Sequence, residues 1–364
     1  MFSFEPSDEQ QMLVDAINRY ASSDLRAKAH DADEEGQLPL ELVEKGWEMG
    51  VLQASIPESC GGFGDRSAVT GILALEEMAW GDMAGTLAVM APALFAIPIL
   101  LVGNEEQRMA HLPEICESEW VPYTAALIES YFDFDANDLR TMAIEDGAGY
   151  VISGVKSFVP YATDAKKMIV YANLDGKTQG FIFNKGSAGV EVGERQKLMG
   201  IDALPVYEVV FNDVRVPAAD RLGGPEGHEF APILDAARVA LSAVAVGVAR
   251  AALEYAIDYA KDRDVFGVKV AQKQAVAFML AEMATEVEAI RLLNWEAAWM
   301  LDVGKEGASK HAYLALTGAS DMVMMVTDRA VQVLGGHGYI REHPVELWMR
   351  NGRGIAMLNG LVIV

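Results

Sequence analysis

Three long segments toward the C-terminus, roughly 229–261, 271–303 and 308–334, repeat their apolar residues at helical spacing with almost nothing to interrupt them. Their only proline is Pro232, in the opening turn of the first segment, where a missing N–H is tolerated. Glycine is sparse in all three. Helices this long, and apolar over much of their circumference, must pack on one another and leave surface over for a further interface. The pattern predicts a four-helix-bundle domain over residues 229–364.

The segments before it have a different character. Residues 1–121 read as helical. Ser7-Asp8-Glu9-Gln10 forms a cap with early acids, ahead of Met12, Leu13, Ala16 and Ile17. A second start follows Pro39, and a longer helix is predicted over about 67–81. From Pro122 to about Pro217 the chain turns to short β-type runs, such as Met168–Tyr171, Gly180–Phe183 and Glu208–Phe211. Asp175-Gly176 and Lys185-Gly186 separate some of them. Gly223-Gly224-Pro225 reads as a linker, which gives a middle β domain over 122–228. The fold class is therefore α+β: an N-terminal helical domain, a middle β-barrel-like domain and a C-terminal helical bundle.

Charge and cysteine usage narrow the function. With 53 acidic and 29 basic side chains the net charge is −24, which repels phosphate backbones and argues against nucleic acid as a partner. Cys60 and Cys116 form neither a CxxC nor a disulfide framework. No histidines stand at metal-ligand spacing, so no metal site is expected. His337 reads as a polar turn residue, and Met322, Met324 and Met325 as core or interface filler. The start lacks a basic region followed by an apolar stretch, and the apolar run Leu87–Val102, broken by Pro92 and Pro98, is too short to span a bilayer. A cytoplasmic protein without a membrane partner is the expectation.

Several motifs then specify more. Glu9-Gln10-Gln11 and Pro57-Glu58-Ser59-Cys60-Gly61-Gly62-Phe63-Gly64 stand in the N-terminal part. Arg263-Asp264-Val265-Phe266-Gly267, Gln274 and Phe278–Met283 follow in the bundle. Gln332-Val333-Leu334-Gly335-Gly336-His337-Gly338-Tyr339, Pro344-Val345-Glu346 and Met349-Arg350 complete the set. In this order, over residues 4–360, the chain resembles the acyl-CoA dehydrogenase family. That resemblance implies a flavoprotein that oxidises an acyl-CoA thioester to its 2,3-enoyl form. A desolvated carboxylate would serve as base, and FAD would carry the redox chemistry.

The residues at the family's key positions are divided. Its base is a Glu at one of two places, and here these hold Asn359 and Ala237. An amide accepts no proton, so no catalytic residue is expected. Asp235, the nearest carboxylate, falls on a different side of its helix. The loop that would hold the flavin ring has Ile128 for a Thr and Tyr131-Phe132-Asp133-Phe134 for a run of small residues. Phe158-Val159-Pro160 replaces a Trp-x-Thr, and Leu361 replaces a Thr. Ring edges left unpaired there would cost about 1–3 kcal/mol each, and the added aromatics are expected to occupy ligand volume.

The set that the family offers to a neighbouring subunit's FAD is intact. By the resemblance, Arg263 matches the residue that meets the pyrophosphate, with Phe266 beside it, and Gln274, Gln332, Gly335 and Gly336 match positions around the ADP half. Arg238 matches an Arg near the CoA end of the substrate channel. The resemblance therefore implies an FAD shared with a partner. This chain would be a non-catalytic subunit beside a paralogous catalytic one, as in hetero-oligomeric members that act on steroid side-chain CoA thioesters. The acyl-CoA substrate would sit in the partner's site. A homo-oligomeric flavoenzyme with altered chemistry and a flavin-free binding scaffold remain as alternatives. The apolar end Leu361-Val362-Ile363-Val364 is expected to be exposed and to seek a partner surface.

Overall fold

The computed structural model describes residues 4–117, 119–147 and 149–364. Helix α1 (Asp8–Tyr20) opens on the expected capping box, in which Ser7 accepts from the Gln10 N–H and the Gln10 side chain accepts from the Ser7 N–H. A π-helical turn, Ala21–Leu25, leads into α2 (Arg26–Glu35), and α3 (Leu40–Trp47) follows Pro39. Ser67 caps α4 (Ala68–Gly81). The apolar run at 87–102 is split between two buried helices, α5 (Met83–Val89) and α6 (Ala93–Val102). Helix α7 (Glu105–Glu117) completes this part.

The middle sheet comprises β1 (Thr124–Ala126), β2 (Met142–Glu145), β3 (Gly149–Pro160), β4 (Lys167–Leu174), β5 (Lys177–Asn184), β6 (Val190–Arg195) and β7 (Val206–Pro217). Its path runs β5-β4, then β1 and β2 on the far side of β4, then β3-β7-β6. Among the described residues the ladder does not close into a barrel, since β5 and β6 remain its edges. The sheet nevertheless curls tightly: Phe183 on β5 meets Phe211 on β7 edge to face at 5.6 Å. Alternation along β4 serves two cores. Met168, Val170, Ala172 and Leu174 fill the curl, while Ile169 and Tyr171 face the helices.

The bundle is α8 (Ala231–Asp262), α9 (Gln274–Asp302), α10 (Ala308–Leu334) and a short fourth member, α11 (Val345–Gly354). Helix α8 is its axis. By length and composition it is apolar enough to cross a membrane, but 83% of its most apolar window is buried against the rest of the protein. Its small residues permit close approach: a Cβ on Gly247 would lie 2.3 Å from the Glu76 carbonyl oxygen of α4. Between α8 and α9 a short hairpin, β8 (Asp264–Val265) and β9 (Val268–Lys269), turns at Phe266-Gly267.

The chain end departs from expectation. Residues 361–364 are buried, and Arg66 donates to the Val364 carbonyl oxygen through Nε at 3.1 Å. Gly71 leaves the room that Val364 occupies, so the apolar tail finds its partner inside the chain.

Charged groups tie the helical parts together. Glu76 and Glu77 of α4 each accept from Arg250 of α8 at 2.6 Å. Arg291 of α9 lies 2.8 Å from Glu76, off the direction a hydrogen bond needs, and so adds charge alone. Asp302 at the end of α9 accepts from Ser67 and from the Ala68 and Val69 N–H groups, capping α4 from outside. Asp302→Ala is expected to lower stability by about 1–2 kcal/mol in a urea melt, because it frees N–H groups at the positive end of a helix.

Asp82, the cap of α5, is buried, and burial raises its carboxyl to about 6, with Asp33 adding to the effect. A carboxyl raised above its unfolded value contributes stability fully below about pH 4, and that contribution is lost as pH rises through 6. Asp82→Asn keeps an acceptor for the Gly85 N–H. It is expected to raise the melting temperature more at neutral pH than in acid; an equal shift at both would show that the carboxyl does not titrate there.

Candidate active-site cavity and exposed bundle end

A cavity of about 850 Å³ opens where the sheet, α8, α10 and the C-terminal segment meet. The loop Ile128–Asn137 and Phe158 form one wall, and Leu234, Arg238, Tyr313, Met357 and Asn359 form the other. The aromatic loop lines this space without filling it, contrary to the sequence expectation. Phe132 is 89% exposed at the loop tip, and Tyr131 folds back over Arg140, its ring centre 3.6 Å from the guanidinium carbon. Tyr131 also donates to the Asp138 carbonyl at 2.9 Å. Those contacts hold the rings against the loop and leave the volume open.

Two carboxylates line the cavity, Glu129 and Asp135. Glu129 is buried and accepts from Lys156 at 2.7 Å, from the Arg140 N–H at 2.8 Å and from the Thr141 N–H at 2.9 Å. Burial alone would raise its pKa, but the Lys156 charge and these donors hold it below the usual value. Burial in turn pulls the Lys156 ammonium down to about 8. Asp135 is exposed and accepts from the backbone and side chain of Asn137.

Both predicted base positions reach this region. Asn359 lines the cavity, and its buried Oδ1 has no partner among the described residues. Ala237 is buried and shares a void of about 10 Å³ with Gly360, the residue after Asn359. Asp235 lies elsewhere, as its spacing implies. It is 2% exposed and accepts from Arg238 Nη1 at 2.9 Å and from the Ser309 hydroxyl. With Tyr313, whose ring centre lies 5.3 Å from the Arg238 guanidinium, it fixes Arg238 at the cavity wall, where Nε is buried and unpaired. An unpaired buried guanidinium N–H calls for an acceptor from a ligand.

Several lining residues escaped the sequence reading. Tyr313 and Ser130 belong to the wall, and Ser130 shares a 2.5 Å hydrogen bond with Ser157. Lys156 is the signal that could have drawn attention: a lysine at an inward position of an otherwise apolar strand must be paired.

The other predicted residues gather outside the cavity. Arg263, Phe266, Gln274, Gln332, Gly335 and Gly336 are all exposed, and none lines the cavity. Tyr259 links the ends of α8 and α10. Its carbonyl caps Arg263 N–H at 2.9 Å, and its hydroxyl hydrogen-bonds His337 Nδ1 at 2.9 Å. Phe266, 94% exposed and at φ 56°, sits at the hairpin tip with the Lys273 ammonium 5.4 Å from its ring centre. The Arg263 guanidinium makes no ion pair among the described residues. Around Gly335 and Gly336 nothing lies within 4 Å of a would-be Cβ, so their backbone is open to a ligand. A bare guanidinium and open glycines suit a diphosphate. At the cavity, Ile128 and Phe158 contribute apolar side chains to the wall.

Comparison with known proteins agrees with this architecture. The family models described as acyl-CoA dehydrogenase N-terminal, middle and C-terminal domains match residues 7–119, 126–214 and 231–361. The chain is 33% identical to the probable acyl-CoA dehydrogenase YngJ of Bacillus subtilis, over 99% of this chain and 98% of that protein. Butyryl-CoA dehydrogenase from Megasphaera elsdenii superposes with a TM-score of 0.89 at 32% identity, covering 99% and 96% of the two chains. The FAD complex of PigA gives 0.90 at 25% identity, covering 99% and 96%. The chain belongs to the acyl-CoA dehydrogenase family.

Proposed function

We propose that this chain is the non-catalytic subunit of a flavin-dependent acyl-CoA dehydrogenase, built into a complex with a paralogous catalytic subunit. The observation that carries the reading is the division of the site. The buried carboxylate of the cavity, Glu129, is tied to Lys156, while Arg263, Gln274, Gln332 and the open Gly335-Gly336 turn stand exposed outside it. A residue set that faces solvent in one chain suits a site that another chain completes.

FAD, when bound, accepts the hydride in this chemistry, and a carboxylate takes the α-proton. This chain's part is recognition. Arg263 would bind the pyrophosphate, and the Gly335-Gly336 backbone would let the nucleotide approach closely. The partner would supply the base, the donors to the flavin ring and the pocket for an acyl-CoA. Substrates of the steroid side-chain kind fit this division by analogy with other hetero-oligomeric members.

Native mass spectrometry of the co-expressed pair tests the reading. A mixed oligomer containing both chains is expected, with FAD lost when Arg263 is changed to Ala. A homo-oligomer of this chain that ignores the paralogue rejects it.

A second reading has one observation in its favour. The roomy cavity, with Asn359 Oδ1 and Arg238 Nε unpaired, is fit to hold a ligand in this chain too. That would suit a homo-oligomeric enzyme with altered chemistry. Full flavin occupancy of the chain alone would favour it.

A further inference from the structure

The curled sheet contains a second cavity, of about 330 Å³, which shares no residue with the larger one. It opens where the sheet fails to close, between the end of β5 and edge strand β6. Its floor is apolar: Met168, Phe183 and Phe211 are each under 10% exposed, and Val190 and Val192 of β6 form its side. The charged residues that line it are Lys167 and Lys185, with no carboxylate among them. That is unusual in a chain with 53 acidic and 29 basic residues, and the two larger cavities are both lined by carboxylates. Lys167 is held in place by Glu114 at 3.0 Å and by His111 Nδ1 at 3.2 Å. The Lys185 ammonium is exposed and makes no ion pair among the described residues.

We propose that this slot binds a molecule with a single anionic head and a medium-length alkyl chain, of the chemistry of a free fatty carboxylate. The chain would lie on Phe183 and Phe211 and fill the gap between β5 and β6. The head would sit at the mouth, where Lys185 supplies the charge that Lys167, already shared with Glu114, supplies only in part. An apolar slot with a cationic rim selects against both a neutral and a cationic amphiphile. The assignment is independent of the subunit role argued above, since it uses neither the large cavity nor the exposed bundle end.

The test is calorimetric titration of the full chain with decanoate below its micellar range, alongside decanol and decyltrimethylammonium. Saturable binding of decanoate, and not of the cation, is the expected result. Lys185→Glu, at an exposed position, should weaken it by about tenfold or more. Val192→Trp, placed on the half-exposed edge strand, should abolish it by filling the slot, with the circular dichroism melt of each variant showing that the fold is kept. Equal binding of the cation, or no effect of either variant, overturns the proposal. Displacement of decanoate by octanoyl-CoA also overturns it, since that would place the fatty acid in the larger cavity. Lys185-dependent binding to phosphatidylglycerol vesicles without binding of monomeric decanoate would overturn the assignment to a free acid.

Discussion

Replacing Arg250 by Met is expected to destabilise the chain by about 3–5 kcal/mol, read from the shift of the urea midpoint. Arg250 donates to both Glu76 and Glu77 from a position that is 18% exposed, between carboxylates that are 3% and 7% exposed. Without it Glu77 keeps only the amide of Asn18, at 2.8 Å, and Glu76 faces Arg291 at an unfavourable hydrogen-bond angle. The cost comes from the charge left behind, more than from the bond removed. Arg250→Met with Glu77→Gln should therefore recover part of the loss, because the remaining carboxylate retains Arg291. A double variant as unstable as the sum of the two single changes would mean that the ion pairs are not coupled.

The second large effect concerns assembly and leaves stability almost untouched. Arg263→Glu should cost the mixed complex at least about a hundredfold in FAD affinity, since it exchanges a diphosphate ligand for a like charge. Arg263 is exposed and makes no ion pair among the described residues, so the isolated chain should melt within about 0.5 kcal/mol of the parent. That contrast separates a ligand-binding arginine from a structural one. An unchanged flavin content in the complex would remove Arg263 from the cofactor site.

How far the sequence foretold these features depended on whether local pattern or distant contact decides them. The long bundle helices were legible because their apolar period runs for tens of residues without a proline. The Ser7 capping box was legible because it is complete within a few positions. The open edge between β5 and β6 was not, since strand pairing joins residues far apart and leaves no trace in composition.

The fate of residues 361–364 was misread for the same reason. An apolar tail looks exposed until Gly71, some 290 positions earlier, is seen to leave it room. At the cavity, the identities of Asn359 and Ala237 were plain from the sequence. The space around them was not. Tyr131 looked like an obstruction, and its contacts with Arg140 and Asp138 hold it against the loop at the cavity wall. Sequence gives the chemistry of a side chain; its direction depends on partners drawn from elsewhere in the chain.

The central claim is that the chain completes a flavin site that it cannot form alone. The measurement that bears on it most directly is the visible absorbance of the purified protein, made first from this chain by itself and then from co-expression with a paralogous acyl-CoA dehydrogenase subunit. A colourless single chain and a yellow mixed complex, with a flavin for each pair of chains, is the expected result. A yellow homo-oligomer of this chain, carrying a flavin in every subunit, would contradict it.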